Sequence, residues 1–414
     1  MSVSQDPCAK PTLLHPDDAL PKLLQQITTL EATEAVALTD ALGRVLAEDL
    51  SSGIEMPPFD NSGMDGYAYR FDDLPQTGTL KLIGRSFAGH PFTGKFEPGT
   101  CVRIMTGAEV PAGYDTVQMQ EQAQADGDNI TLEPCKKRGE NVRLRAGELA
   151  IGQKVLTRGS LIRAAEMGVI ATIGLASVRV YRRVKVAFFS TGDELRPLGS
   201  ELQPGQIYDS NRYAIKGLLE RLGVEWLDLG VIKDDRESIR HAFREAASVA
   251  DMVLTSGGVS VGEADFTKQV LDEEGEITFW KLAMKPGKPF AMGHIGKAVF
   301  CGLPGNPVST MVTFYKLVLP LLHKLQGMQP VTPLQLQATL TSPISKKPGR
   351  VEYQRGILSR NADGALTVCT TGSQDSSQMS SMHSANCFIV LEQMQGSVAA
   401  DTLVTVEPFN SVLC

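Results

Sequence analysis

Apolar and polar positions divide the chain into regions of different periodicity. In residues 16–50 the apolar positions recur three and four apart in two stretches, Asp17–Ile27 and Thr39–Leu50, with Leu42, Val45 and Leu46 on one face of the second. This spacing predicts two amphipathic helices. Residues 51–140 instead contain Gly or Pro every few positions, with short apolar runs between them, which predicts a small β domain.

Residues 141–330 return to longer periodic segments. A predicted helix, Arg163–Ile173, ends at Gly174 and precedes a strand, Val178–Tyr181; a glycine just past the last turn is a common helix stop. Val184–Phe189 is continuously apolar, as expected for a strand buried on both faces. The predicted elements after it are Asn211–Leu222 (helix), Trp226–Ile232 (strand), Arg236–Ser248 (helix), Met252–Thr255 (strand), Asp265–Glu274 (helix), Ile277–Leu282 and Ala298–Gly302 (strands), and Pro307–Leu325 (helix).

Strands alternating with helices indicate βαβ units, so we expect residues 183–330 to form a doubly wound, mainly parallel α/β domain. Residues 331–414 revert to short strands, with a hairpin turn at Asn361–Gly364. Those predicted strands are Leu334–Leu340, Glu352–Ser359, Leu366–Thr370, Cys387–Glu392 and Thr402–Val406.

Composition narrows the class of protein. The 414 residues are 42% hydrophobic and 21% charged with a formal net charge of −7, and no basic block stands out, which argues against nucleic-acid binding. No apolar stretch approaches the ~18 residues of a membrane span, and the N-terminus has no signal-peptide core. We therefore expect a soluble cytoplasmic enzyme with no membrane partner.

Several kinds of site are excluded by missing motifs. The seven cysteines are widely spaced without a C-x-x-C pair, and the six histidines are scattered, which argues against a disulfide framework or a zinc site. The sequence has no G-x-x-x-x-G-K-[ST], no G-x-G-x-x-G after a strand and no G-x-S-x-G. These absences argue against a P-loop NTPase, a dinucleotide oxidoreductase and an α/β-hydrolase.

Three polar, glycine-containing loops follow predicted strands of the α/β domain. Ligands of open α/β sheets bind beyond the carboxyl ends of the strands, and exposed backbone N–H groups there hold anions. One such loop alone is weak evidence and is better explained as an ordinary strand–helix turn, but three together predict a phosphate or oxyanion site. Its candidate residues are Ser190, Thr191, Gly192, Ser256, Gly257, Gly258, Ser260, Pro304, Gly305, Asn306 and Pro307.

Charged residues accompany these loops. Lys281, Lys285 and Lys288 lie within eight positions of one another, which favours an oxyanion clamp over a solvated turn. The acids near the same edge suggest Mg²⁺, which combines one or two carboxylates with ligand oxygens. For each acid, helix capping or a solvated charge is the alternative. These acids are Glu194, Asp209, Asp234 and Asp265.

Two further loops lie in the predicted β region: residues 57–67, which contain Asp60, and residues 103–108, which contain Thr106. The first is too rich in Asp, Asn, Ser and Gly for a strand. Two interpretations remain open from composition, a plain turn and a polar loop that contacts a ligand.

Seven motifs together resemble the bacterial molybdopterin molybdenumtransferase family, MoeA, which also includes the C-terminal domain of gephyrin. They appear in the family's order across residues 57–310, and the domain order agrees over essentially the whole chain. STGDEL or TSGG alone would mark only the broader molybdopterin-binding α/β domain. The motifs are PPFDNSGMDGYA, RIMTGAEVP, FSTGDEL, QIYDSNR, TSGGVSVGEADFTK, WKLAMKPGKPF and GLPGNPVS.

The resemblance implies four domains and a homodimer with its active cleft between subunits. It implies that molybdate and adenylylated molybdopterin are converted to molybdenum cofactor and AMP with a divalent cation, here taken as Mg²⁺, with transient contact to the molybdopterin adenylyltransferase. The implied domains are an elongated discontinuous one (1–50 and 141–182), an inserted β domain (51–140), the α/β domain (183–330) and a C-terminal β barrel (331–414).

The resemblance also implies roles for individual residues. Glu194, Asp234 and Asp265 are expected as acidic residues of the active site and as metal ligands. The other residues that the resemblance implies are Asp60 and Thr106 in the cleft facing the partner's α/β domain, Lys281 and Lys285 at molybdate or the phosphate bridge, Pro304 and Pro307 shaping the anion loop, and Arg355 and Ser376 from the last domain.

The chain departs from the family pattern at Glu148, where the family often has a functional Asp in R-x-x-G-E-D, so the role of Glu148 stays open. Three other functions are considered: a clustering scaffold as in gephyrin, a nucleotide or pyridine-nucleotide hydrolase as in the competence-damage family, and a passive molybdopterin carrier. The 57–68 loop and the two β domains argue against the hydrolase.

Overall fold

The computed structural model describes residues 13–74, 77–257, 266–410 and 412–413. The helices and strands up to Tyr181 are α1 (Pro16–Gln25), β1 (Thr33–Ala37), β2 (Leu50–Ser51), β3 (Asn61–Ser62), β4 (Gly66–Tyr69), β5 (Thr79–Ser86), β6 (Thr100–Ile104), β7 (Thr116–Met119), β8 (Ala123–Asp126), β9 (Asn129–Leu132), β10 (Val142–Arg143), β11 (Lys154–Leu156), α2 (Ala164–Thr172) and β12 (Ser177–Tyr181).

Strand pairing shows how the chain leaves this region and returns to it. β1 pairs with β12, β2 with β11 and β3 with β10, each antiparallel. Among the described residues between these pairs, six strands form one mixed sheet in the order β7-β4-β6-β5-β9-β8. The predicted β character of residues 51–140 is therefore found in this sheet.

The second predicted helix, Thr39–Leu50, is wrong. Only a short 3-10 turn, Leu38–Asp40, forms, and Gly43 follows with φ of 74°. Val45 and Leu46 then pair as bridges with Leu161 and Val180 instead of stacking on a helix. A glycine in the left-handed region ends a helix. Val45 and Leu46 are buried without a helix, whereas Leu42 is 59% exposed, so the three apolar residues do not share one buried face.

The α/β region lies between residues 185 and 325. Its elements are β13 (Lys185–Thr191), β14 (Leu195–Arg196), β15 (Ile207–Tyr208), α3 (Ser210–Arg221), β16 (Glu225–Ile232), α4 (Arg236–Val249), β17 (Met252–Ser256), α5 (Phe266–Glu274), β18 (Glu276–Lys281), β19 (Met284–Lys285), β20 (Pro289–Ile295), β21 (Ala298–Leu303), α6 (Pro307–Thr313) and α7 (Leu319–Leu325), with a π-helical turn at Phe314–Val318 joining the last two.

Six of these strands, among those described, form a sheet in the order β16-β13-β17-β21-β20-β18. β16, β13, β17 and β21 are mutually parallel, while β20 is antiparallel to both neighbours. β18 therefore has the same direction as the four parallel strands. β20, which begins at Pro289 and contains Gly293, is a strand that the sequence pattern did not predict.

Helices cover both faces of this sheet, as a doubly wound fold requires. Val186 and Phe188 of β13 pack on the face covered by α3 and the helix that ends the region, while Ala187 and Phe189 pack on the face covered by α4 and α5. Side chains of a strand alternate between faces, so a strand buried on both sides is continuously apolar. The predicted doubly wound, mainly parallel α/β sheet is confirmed.

The last region contains β22 (Leu336–Leu340), β23 (Val351–Arg360), β24 (Leu366–Thr370), α8 (Ser380–Ser384), β25 (Cys387–Leu391) and β26 (Leu403–Pro408). The order β23-β24-β22-β26-β25 closes on itself because β25 also pairs with β23. This closure confirms the predicted C-terminal barrel. β19 pairs in parallel with β23, which joins the barrel to the α/β region.

Candidate functional site

The polar loops of the α/β region leave from one edge of its sheet. β13, β16, β17, β18 and β21 have the same direction, so their carboxyl ends meet at that edge. Ser190 is in register with Ser256, and Ser256 with Leu303. Neighbouring strands are about 4.8 Å apart, so the three predicted loops begin side by side.

A group of carboxylates lies beyond β13 and β16. Partial loss of hydration and, after it, the negative charges of Asp193, Glu194 and Asp235 raise the pKa of Asp234 above its ordinary value. Asp235 itself caps α4 by accepting from the Ser238 backbone N–H at 2.9 Å, and this bond lowers its pKa. Glu194 and Asp234 therefore lie near enough for their charges to interact.

The other predicted acids differ in their surroundings. Asp209 is buried and accepts from the backbone N–H of Arg212 at 3.1 Å as the N-cap of α3, which is the capping alternative. Asp265 lies outside the described residues, as do Gly258 and Ser260. Within the described ranges, no three His, Cys, Asp or Glu side chains are grouped to hold a metal ion.

The backbones of the central loops approach one another closely. Gly257 has φ of 89°, and a Cβ atom there would lie 2.7 Å from the carbonyl oxygen of Thr191. The Gly257 N–H donates to the carbonyl of Leu303 at 3.2 Å. A Cβ atom on Gly305 would lie 3.9 Å from the Cα atom of Gly257. Glycine at 257 is therefore required for both its conformation and this approach.

Asn211, at the start of α3, connects two of these loops. Its Nδ2 atom donates to Ser256 Oγ at 2.7 Å and to the carbonyl oxygen of Gly305 at 2.7 Å, and the residue is only 8% exposed. The Ser190 and Thr255 hydroxyls nearby on β13 and β17 are buried and have no hydrogen-bond partner among the described residues. A buried hydroxyl without a partner is costly, so this edge is suited to receive a polar ligand.

The loop after β21 also contacts the barrel. Asn306 precedes Pro307, the first residue of α6, and its Nδ2 atom donates to Ser376 Oγ at 3.0 Å. The backbone N–H of Val308 donates to the Ser376 carbonyl at 2.9 Å. The Pro304 carbonyl accepts from the Thr310 hydroxyl. Ser376 is therefore adjacent to the predicted anion loop although it lies in a different region of the sequence.

Arg355 is buried in the barrel rather than exposed at the sheet edge. Its Nε atom donates to Ser381 Oγ at 3.0 Å and its Nη2 atom to the Asp375 carbonyl at 3.0 Å. Burial lowers the pKa of Arg355 to about 10. The guanidinium thus holds the segment that contains Ser376.

Of the predicted lysines, Lys281 lies at the far end of the same edge, whereas Lys285 lies on β19, which pairs with β23 of the barrel. Lys281 ends β18, and five strand spacings separate β18 from β16, or roughly 24 Å. Lys281 and Lys288 are exposed. Lys285 Nζ lies 3.3 Å from Oε1 of Glu352, whose side chain is 5% exposed. Glu352 was not predicted as a partner of Lys285, because it lies in a strand of ordinary composition.

Asp60 and Thr106 lie on adjacent segments of the inserted region. The Val110 N–H donates to the Asp60 carbonyl at 2.8 Å, and the Asp60 carboxylate accepts from the Arg145 N–H at 2.7 Å. The Thr106 N–H and hydroxyl both donate to Asp65 Oδ1 at 2.8 Å, which lowers the pKa of Asp65. Both predicted residues are exposed and held in place by hydrogen bonds.

Three family models match the chain in succession. Residues 14–174 match the MoeA N-terminal region (domain I and II), residues 187–324 match the probable molybdopterin binding domain, and residues 337–409 match the MoeA C-terminal region (domain IV).

Curated relatives match along nearly the whole chain. Molybdopterin molybdenumtransferase of Haemophilus influenzae is 48% identical over 97% of this chain and 100% of its own length, and that of a Nostoc species is 37% identical over 77% of each. Gephyrin of Dictyostelium discoideum is 32% identical over 94% of this chain and 61% of its own length.

Solved structures agree with the fold. Two crystal structures of the molybdopterin biosynthesis MoeA protein of Pyrococcus horikoshii superpose with TM-scores of 0.82 and 0.76 at 28% and 30% identity, covering 96% and 97% of this chain and 100% of each structure. In the described part of this chain, no helix has the length and apolarity needed to cross a membrane.

Proposed function

This chain belongs to the MoeA family of molybdopterin molybdenumtransferases and acts in molybdenum insertion during molybdenum cofactor biosynthesis, and on this basis we propose that it uses molybdate and adenylylated molybdopterin and releases AMP. The observation that carries the proposal is the meeting of the β13, β17 and β21 loops at one sheet edge, between carboxylates at one end and lysines at the other.

The dimensions of the edge suit this substrate. Adenylylated molybdopterin is an elongated molecule with a pterin, a phosphate bridge and a nucleoside, and the edge from β16 to β18 extends roughly 24 Å. The glycine-rich loops in the middle hold the phosphate bridge through their N–H groups. Lys281 and Lys285 hold molybdate or the same bridge as cations, with Lys288 beside them.

The carboxylates supply the divalent-cation site. Partial burial and, after it, the negative charges of Asp193, Glu194 and Asp235 raise the pKa of Asp234, and a cation bound here would offset that repulsion, which supports a Mg²⁺ site. Glu194 and Asp234, with Asp265 from the neighbouring loop, are its proposed ligands. When bound, Mg²⁺ polarises a phosphoryl oxygen.

The chain's own groups act by positioning and electrostatics. Backbone N–H groups of the loops and the lysine ammonium groups stabilise the negative charge that develops on the phosphate bridge as AMP leaves. Holding molybdate against the pterin dithiolene makes its insertion an effectively unimolecular step. No covalent intermediate on the protein is required.

The cleft is completed by a second subunit. Asp60 and Thr106 lie on an exposed surface that also presents the apolar side chains of Phe59 and Met64, which are 38% and 42% exposed. Exposed apolar side chains beside ordered polar groups are typical of contact surfaces. We place the partner subunit's α/β region against this surface, in a homodimer that also contacts the adenylyltransferase transiently.

The test is AMP release from adenylylated molybdopterin by the purified protein with Mg²⁺, with and without molybdate. The proposal predicts AMP release that depends on molybdate. Tight binding of the pterin without AMP release in either condition would contradict it and favour a carrier.

A further inference from the structure

The two central loops of the site share one buried contact. Asn211 lies beneath them, and its single amide nitrogen donates to Ser256 at the end of β17 and to Gly305 in the loop after β21. A carbonyl accepts only, so the contact with Gly305 fixes the amide with its nitrogen toward the loops. Gly305 and Asn306 are exposed above this buried residue.

The contact with Asn211 also fixes the direction of the next backbone N–H, because the peptide group is planar. In a trans peptide the carbonyl and the following N–H point in opposite directions across one plane. Because the Gly305 carbonyl points inward to Asn211, the Asn306 N–H points outward, away from the protein interior. This N–H donates to no backbone carbonyl among the described residues. It is a fixed donor at the exposed side of the predicted anion loop.

The same amide also determines the hydrogen-bonding role of the Ser256 hydroxyl. Ser256 Oγ accepts from Asn211, so its own hydrogen is left for another acceptor. An aspartate of the same shape would reverse both contacts: it would oppose the Gly305 carbonyl with a second acceptor and would take the Ser256 hydrogen for itself. The two contacts therefore require the donor nitrogen of an amide, and a carboxylate of the same shape cannot replace it.

We infer that Asn211 is a positioning residue for the oxyanion site, which turns the Asn306 N–H, and with it the loop after β21, toward the phosphate bridge of the substrate. The inference rests on the proposed function, since it assigns the means by which that site is ordered. Asn211 acts through the peptide of Gly305 and Asn306 and does not itself contact the substrate.

The first experiment measures binding of inorganic pyrophosphate to the full chain by calorimetry for the unaltered protein and for Asn211→Asp. We expect about 10- to 100-fold weaker binding by the variant at alkaline pH, the effect of losing one or two hydrogen bonds to a charged group. The deficit should shrink at acidic pH relative to the unaltered protein, because a protonated aspartate regains a donor for the Gly305 carbonyl. Asn129→Asp, at the exposed first residue of β9 in the inserted sheet, is the control for added charge.

Equal affinities of Asn211→Asp and the unaltered protein, or a deficit that is the same at both pH values, would overturn the inference. A second measurement uses the unaltered chain, so it does not depend on how the variant folds: the amide resonance of Asn306 should shift on pyrophosphate addition. Shifts confined to other amides would also overturn it.

Failure of the inference is separable from failure of the proposed function. Normal molybdate-dependent AMP release together with unchanged pyrophosphate binding by Asn211→Asp removes only the role of Asn211. A shift of the Asn306 amide and a pH-dependent binding deficit in a protein that never releases AMP supports the role of Asn211 and removes the proposed reaction.

Discussion

Individual side chains of the acidic group are held in an unfavourable arrangement. Lost hydration and the charges of Asp193, Glu194 and Asp235 raise the pKa of Asp234, so its ionised form is destabilised in the folded protein. Such arrangements occur where a ligand compensates for them. A single substitution of Asp234 should therefore raise or maintain the stability of the folded protein while it lowers activity.

Asp234→Asn should leave the folded protein as stable as before or more stable, while AMP release falls on the order of 100-fold through loss of a cation ligand. The pH dependence has a definite sign. Because the folded pKa is raised, the folded state binds more protons between pH 3.8 and that raised value, so the contribution of Asp234 to stability falls as pH rises through this window. The variant should lack this slope in unfolding experiments.

Asp235→Ala is the matched control. It removes a helix cap and should lower the free energy of unfolding by about 1 kcal/mol. A less stable Asp234→Asn protein with normal AMP release would contradict the assignment of Asp234.

The two lysines should differ although both are assigned to anion binding. Among the described residues, Lys285→Ala leaves the buried carboxylate of Glu352 with Gln354 as its side-chain donor, so we expect a loss of about 1–3 kcal/mol in the free energy of unfolding. Lys281→Ala removes an exposed side chain and should change it by less than about 0.5 kcal/mol. Both should weaken pyrophosphate binding in calorimetry; unchanged binding in Lys281→Ala would remove that residue from the site.

The sequence predicted which loops meet, but it did not predict the contacts and burial of single side chains. The motif that contains Asn211 was recognised, yet its amide gained meaning only when Ser256 and Gly305 were seen on either side of it. Arg355 was expected from the resemblance as a ligand-binding residue, yet it is only 1% exposed. Its burial depends on closure of the barrel, which cannot be predicted from the sequence around Arg355. The roles assigned to the site residues stay predictions.

At the scale of elements, the loop after β17 depends on a backbone conformation. Gly257→Ala would strain a residue at φ of 89° and bring a methyl group 2.7 Å from the Thr191 carbonyl, so we expect a loss of about 1–3 kcal/mol in urea unfolding. Gly305→Ala is the control: its nearest contact would be 3.9 Å away, so its stability should stay within about 1 kcal/mol of the unaltered protein. Equal effects of the two substitutions would contradict the close approach of these loops.

Elements with a strong local signal were predictable. Continuous apolar runs and capped periodic helices of the α/β region appear close to their predicted bounds, whereas Thr39–Leu50 failed because one glycine overrides the apolar spacing. β20 was not predicted because Pro289 and Gly293 weaken its strand pattern. The strand forms nevertheless, because it pairs with β18 on one side and β21 on the other. The expected four-domain boundaries stay a prediction.

At the scale of the whole molecule, the cleft proposal assigns each active site to two subunits. Asp60→Ala removes a group from one side of the cleft and Asp234→Asn from the other, so each homodimer should retain little activity. Random mixing of the two after subunit exchange should restore about one quarter of the sites, because each mixed dimer has one site with both sides intact. Mass measurement should first show that mixed dimers have formed. If AMP release is still not restored in these mixtures, Asp60 and Asp234 belong to a site within one subunit or lie outside the site.

The most direct test of the central claim is the ratio of AMP released to molybdenum bound by the pterin in a single turnover with excess enzyme. Coupled cleavage and insertion predict equal amounts of both products, formed together, and neither product when molybdate is omitted. AMP released in full without molybdenum on the pterin would contradict the account, because the protein would then be a hydrolase of the phosphate bridge.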